Sequence, residues 1–171
     1  MAAAAQLEAR IQALEDIEAI KRLKFRYADM VDSQQWAEVM NCFADESSGD
    51  YGPIGNYGTR KDLEHFFFDI VPNVLPFTLH YVTNPSIEIL DSERARGSWY
   101  FNVAATYAPT NKAIYLAGRY NDEYVKREGE WVYQRIVLDI FYSTDYDHGW
   151  AQQRWNLPGP IVVREAANRK V

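Results

Sequence analysis

The sequence predicts an α+β domain: three N-terminal helices packed on a strongly curved antiparallel β-sheet. Three observations carry this. Apolar residues recur every three or four positions as far as residue 70, the signature of amphipathic helices. Four long runs rich in β-branched and aromatic residues follow, joined by short turn-like connections, so consecutive strands should pair antiparallel. No repeat, low-complexity tract or Gly/Ser linker interrupts the 171 residues, a length that supports one sizeable core.

Leu7, Ile11, Leu14, Ile17, Ile20, Leu23, Tyr27 and Val31 recur at helical spacing and predict one long helix, or two in line, over residues 6–33. Its start is spaced like a coiled coil, so residues 1–12 are expected to form a helical arm, packed on a neighbouring subunit or solvated. Trp36, Val39, Met40 and Phe43 predict a second helix over residues 35–44. Thr59 is a candidate cap with Asp62 three residues on, opening a third helix over 59–70 whose buried face is Leu63, Phe66, Phe67 and Ile70. Pro72 and Pro76 are expected to end it. A short strand near residues 50–52 and long strands over 78–89, 96–107, 113–127 and 131–142 complete the domain, residues 1–145. The tail, residues 146–171, carries Trp150, Trp155, Leu157, Ile161, Val162 and Val163. Such residues need cover, over a cavity mouth or on another subunit.

Composition narrows the function. The net charge of −6 is spread without a basic stripe, so nucleic acid is not an expected partner. No apolar run approaches the ~20 residues of a membrane span. Glu8, Arg10, Glu15 and Asp16 follow the N-terminal alanines at once, so neither a membrane nor a targeting segment is expected. A lone Cys42 excludes an internal disulfide and a thiolate metal cluster, which suits a cytoplasmic protein. Asp50, Asp62 and Asp69 have no spacing that makes a metal site with His80. The segment Gly52-Pro53-Ile54-Gly55 lacks the strand and helix of a dinucleotide loop. The expected chemistry uses neither metal nor cofactor.

The sharpest candidates are Asp32, near the end of the first helix, and His80, in the strand-like string Leu79-His80-Tyr81-Val82-Thr83-Asn84. A carboxylate beside an imidazole orients the ring and leaves its other nitrogen free to take a proton. The alternative is a structural hydrogen-bonded pair. With His80 facing inward, Thr78 and Val82 face inward too, and Trp99, Phe101, Val103 and Ala105 form an apolar wall of the cavity they enclose. Tyr27 lies about 140° round the helix from Asp32; its phenol is either a donor to an oxyanion or departing oxygen, or an aromatic core contact. Tyr51, Tyr57, Phe66 and Tyr120 are further candidates for the substrate pocket. Arg135 either enters it to hold negative charge or faces solvent.

These residues, with Gly118-Arg119-Tyr120-Asn121-Asp122-Glu123-Tyr124 and Gly129-Glu130-Trp131, resemble the SnoaL-like branch of the NTF2-like superfamily over roughly residues 12–145. The resemblance implies a cone-shaped fold, a homotrimer or homodimer, and an Asp–His catalytic dyad at Asp32 and His80. It also marks departures. The family's dehydrochlorinases carry a catalytic lysine where this chain has Tyr27, and its bile-acid dehydratases carry a second catalytic aspartate where it has Val103. Three functions follow: a cofactor-independent carbon–oxygen or carbon–halogen lyase acting on a hydrophobic cyclic small molecule, an isomerase or polyketide-cyclase-like enzyme with the same base, and a non-catalytic binder of hydrophobic ligands.

Overall fold

A computed structural model describes residues 2–157. The chain runs α1 (Ala2–Asp32), α2 (Trp36–Met40), β1 (Phe43–Asp50), β2 (Asn56–Tyr57), α3 (Arg60–His65), a π-helical turn (Phe66–Ile70), α4 (Val71–Val74), β3 (Phe77–Ile89), β4 (Arg94–Tyr107), β5 (Lys112–Arg127) and β6 (Glu130–Asp145). The six strands form one sheet in the order β2-β1-β6-β5-β4-β3. Neighbours from β3 to β6 pair antiparallel, as the short connections predict. Register shifts fall between Thr83 and Ser86 on β3, and between Ala117 and Gly118 and between Glu123 and Tyr124 on β5. Irregularities of this kind bend and twist a strand. The result is the curved α+β fold the sequence predicts, with Ile20, Leu23, Tyr27 and Val31 of α1 buried in its core.

Four details differ from expectation. Helix α2 stops at Met40, and Phe43 begins β1 instead of closing the helix. This strand pairs with β6 in parallel, a long-range pairing that local spacing does not encode. The third helix carries the predicted capping box, with Thr59 Oγ1 accepting from the Asp62 amide at 3.2 Å and the Asp62 carboxylate accepting from the Thr59 amide at 3.0 Å. It then widens into the π-turn, and Pro72 sits near the start of the following helical turn, where its missing N–H costs nothing. Finally, β6 extends to Asp145, and residues 146–157 fold back on its end. Ser143 donates its amide to the Arg154 carbonyl, and the Asn156 amide group donates to Asp145 at 2.7 Å. Ile161, Val162 and Val163 lie outside the described residues.

Candidate active site

Asp32, the last residue of α1, is held entirely by the start of β3. Its Oδ2 accepts the His80 backbone N–H at 2.7 Å. Its Oδ1 accepts the Thr78 hydroxyl at 2.8 Å and faces His80 Nδ1 at 2.5 Å. Burial raises the Asp32 carboxyl, but the bonds from His80 and Thr78 outweigh it and hold the group below the usual carboxylate range. An ionised carboxylate only accepts, so Nδ1 carries a proton and Nε2 of the neutral ring is the bare, basic nitrogen. The two side chains are 10% (His80) and 18% (Asp32) exposed.

His80 lines an apolar cavity of about 60 Å³ between the helices and the concave sheet, and Asp32 stands behind the ring, outside the lining. The 140° between Tyr27 and Asp32 therefore separates a residue of the cavity from one that reaches it only through His80 and Thr78. Val103, paired with His80 across β3 and β4, lines the cavity with Phe101, Tyr120, Tyr51, Tyr27 and Phe66. The wide π-turn brings the consecutive residues Phe66 and Phe67 to the same wall.

The phenolic oxygens of Tyr27 and Tyr51 lie 3.2 Å apart. Whichever donates to the other, one O–H remains to point elsewhere. Burial, reinforced by neighbouring phenols, pushes Tyr27 and Tyr120 far above the ordinary range; burial does the same to Tyr51 against the Tyr27 bond. All three stay protonated donors at neutral pH.

Four expected pocket residues lie elsewhere. Ala105 is buried in the core of the sheet's inner face and does not line the cavity. Trp99 is fully buried behind the wall and donates its indole N–H to Tyr124 at 2.9 Å. Tyr57 backs the wall by stacking on Phe66 at 4.5 Å and is absent from the lining. Arg135 is exposed on the outer face, in a groove with Glu88, Arg96 and Glu123. The pairing jumps from Glu123↔Arg135 to Tyr124↔Tyr133, leaving Gln134 as an extra residue. From the inward Tyr133, strict alternation would send Arg135 inward, and the extra residue reverses this and buries Ile136 instead.

One buried cluster was missed from the sequence. Lys24 Nζ bonds Asp122 Oδ2 at 2.8 Å with both side chains fully buried, and it sits 3.2 Å from the centroid of the Tyr120 ring. Burial pulls Lys24 down to about 8 against the attraction of Asp122, and burial raises Asp122 in turn. The signal was present: Lys24 falls four residues after Ile20 and three before Tyr27, on the apolar stripe itself. Among the described residues, Asp145, Asp147 and His148 could converge on a cation, but Lys112 and Asn156 already hold Asp145.

Fold and cavity define a small α+β cone with an Asp-supported histidine at its wall. The SnoaL-like domain family matches residues 12–137, and the chain belongs to that family. Hexachlorocyclohexane dehydrochlorinase 1 of Sphingobium indicum is 25% identical over 118 residues, 67% of this chain and 74% of that protein. A scytalone dehydratase candidate from Novosphingobium aromaticivorans superposes with a TM-score of 0.74 at 23% identity, covering 80% of this chain and 91% of the other. The dehydrochlorinase LinA-type3 of Novosphingobium barchaimii superposes with a TM-score of 0.74 at 20% identity, covering 87% and 99%.

Proposed function

We propose that the protein is a cofactor-independent lyase of the dehydratase or dehydrohalogenase type, acting on a hydrophobic cyclic small molecule. The observation that carries this reading is the division of the His80 ring: Nδ1 is engaged by Asp32 behind the cavity while the ring itself lines it. His80 Nε2 removes a proton from a substrate carbon, and the C–H electron pair becomes the new double bond. The substituent on the neighbouring carbon leaves with its bonding electrons, as halide, or as water once a proton is returned from the imidazolium or from Tyr27. Asp32 offsets the imidazolium charge and fixes the tautomer. The relative named for dehydrochlorination of a chlorinated ring supports this class of chemistry. We place the enzyme in the cytoplasm as a homotrimer or homodimer; no helix among the described residues is long and apolar enough to cross a membrane.

A second reading rests on the Tyr27–Tyr51 pair. If these hydroxyls stabilise an oxyanion and no group departs, the same base gives an isomerase or cyclase. Wild type and His80→Ala, incubated in D₂O with chlorinated cyclohexanes and hydroxylated cyclohexenones, separate the cases by mass spectrometry. A product lighter by HCl or water identifies the lyase, and deuterium uptake without loss identifies the isomerase. For either, His80→Ala should lose about a hundredfold to ten-thousandfold in rate. Binding with neither change, or turnover that survives His80→Ala, overturns the base.

A further inference from the structure

The buried ion pair Lys24–Asp122 has no part in the chemistry at His80, and stability alone does not account for it. Two charges taken fully out of water rarely add stability over an apolar pair of similar volume, and Asp122 Oδ1 is left without a partner. The negative end of the pair is braced all the same. Asp122 Oδ2 accepts from Lys24 at 2.8 Å and from the Tyr124 hydroxyl at 2.9 Å, and Tyr124 in turn accepts the Trp99 indole N–H.

This brace holds a cation behind the wall of the cavity. Lys24 Nζ stands 3.2 Å from the centre of the Tyr120 ring, and 5.5 Å from those of Tyr27 and Tyr133. The first is direct contact with the π face, whose negative potential attracts a positive charge. Tyr120 and Asp122 lie two residues apart and share the inward face of β5, so one strand supplies both the ring and the counter-charge. With its pKa at about 8, Lys24 is mostly cationic at pH 7.

Tyr120 is also the uncommitted phenol of the cavity. Tyr27 and Tyr51 bond each other. Tyr120 lines the same space and is 2% exposed, yet among the described residues its hydroxyl makes no hydrogen bond. Nor is it one of the sealed unpaired oxygens, which are those of Ser47, Asp122 Oδ1 and Tyr133. The hydroxyl therefore opens on the cavity. Lys24 on the ring face and Phe101 at 4.8 Å from the ring centre fix where it stands, and an O–H held in an apolar space lacks its hydrogen bond until an acceptor enters.

We infer that Lys24 is a positioning residue: braced by Asp122, it holds the Tyr120 ring so that the free phenol donates to an oxygen of the ligand. The inference rests on the reading of the cavity as a substrate site, and it narrows the substrate to a small ring bearing a carbonyl or hydroxyl oxygen. Calorimetric titration with cyclohexanone and with methylenecyclohexane, its analogue without the oxygen, tests both residues. Tyr120→Phe should weaken cyclohexanone binding about tenfold, the worth of one hydrogen bond, and leave methylenecyclohexane unchanged. Lys24→Gln keeps a donor for Asp122 but no cation, and Lys24→Met with Asp122→Leu removes the pair. Each should weaken the ketone several-fold with the same selectivity. The ¹³C signal of bound carbonyl-labelled cyclohexanone, drawn downfield by the phenol in wild type, should move back upfield in all three variants. A purely structural pair would weaken both compounds together or neither, and either result overturns the positioning role. A ketone affinity untouched by Tyr120→Phe overturns the donor, as does a wild type that binds neither compound. In a His80→Ala background the Tyr120 effect should persist, so the base can fail while this assignment stands.

Discussion

Asp32 accepts three hydrogen bonds from two residues of β3, and that satisfaction makes a carboxylate tolerable beside an apolar cavity. Asp32→Ala strands the three donors and should cost about 2–4 kcal/mol, measured by urea denaturation. The pH dependence has a definite sign. The folded carboxyl lies below its ordinary 3.8, so its contribution is complete above that value and fades as pH falls through the lower folded value. The stability gap between wild type and Asp32→Asn should therefore be constant above about pH 5 and shrink below pH 4. Lys24→Met leaves Asp122 buried without its counter-charge, its Oδ1 already lacking a partner, and should cost about 3–5 kcal/mol. Adding Asp122→Leu should recover much of that loss. At this scale the sequence showed Asp32 and His80 because motif and residue types coincide. It hid Lys24, because a lysine among apolar stripe residues reads as an exposed interruption until its partner, 98 positions away, is in view.

Elements decide which side chains reach the cavity. The extra residue in β6 turns Arg135 outward, so Arg135→Gln should change turnover less than twofold; a tenfold loss would place the guanidinium in the site. The same parity rule explains why Thr78, His80, Phe101 and Val103 were legible from alternation on β3 and β4, whereas Trp99 and Ala105 share the inward face of β4 but are buried away from the cavity, and Arg135 on the irregular β6 was placed on the wrong face. Gly118 sits at another register shift, where an added Cβ would lie 2.2 Å from the Asp139 carbonyl oxygen and 2.8 Å from the Phe101 ring. Gly118→Ala should cost about 1–3 kcal/mol in thermal or urea unfolding and displace the cavity-lining Phe101. The cap of α3 was readable from Thr59 and Asp62 because its bonds are local. Strand β1 was not, since Asp45, Glu46, Ser47 and Ser48 have little strand preference and are ordered by pairing with β6.

At the scale of the molecule, helices cover the concave side of a bent sheet and leave a partly open apolar cavity whose polar groups are few: His80, Thr78 and the hydroxyls of Tyr27, Tyr51 and Tyr120. No side chain of that lining is an acid, lysine or arginine, so the space favours a neutral ligand, and in the proposed mechanism a substrate proton would have one basic nitrogen within it to meet. Curvature and helix cover were legible from strand length and the order of elements. Cavity shape was not, because it depends on where the irregularities fall and on how Phe66 and Phe67 share one turn. The most direct test of the central claim is ¹H–¹⁵N NMR of the imidazole rings. Three histidines keep that spectrum simple, and His80→Gln assigns the signal. Neutral His80 should be protonated at Nδ1 with Nε2 bare, and Asp32→Asn should disturb that preference. A neutral His80 carrying its proton on Nε2 would leave no base facing the cavity and would contradict the account.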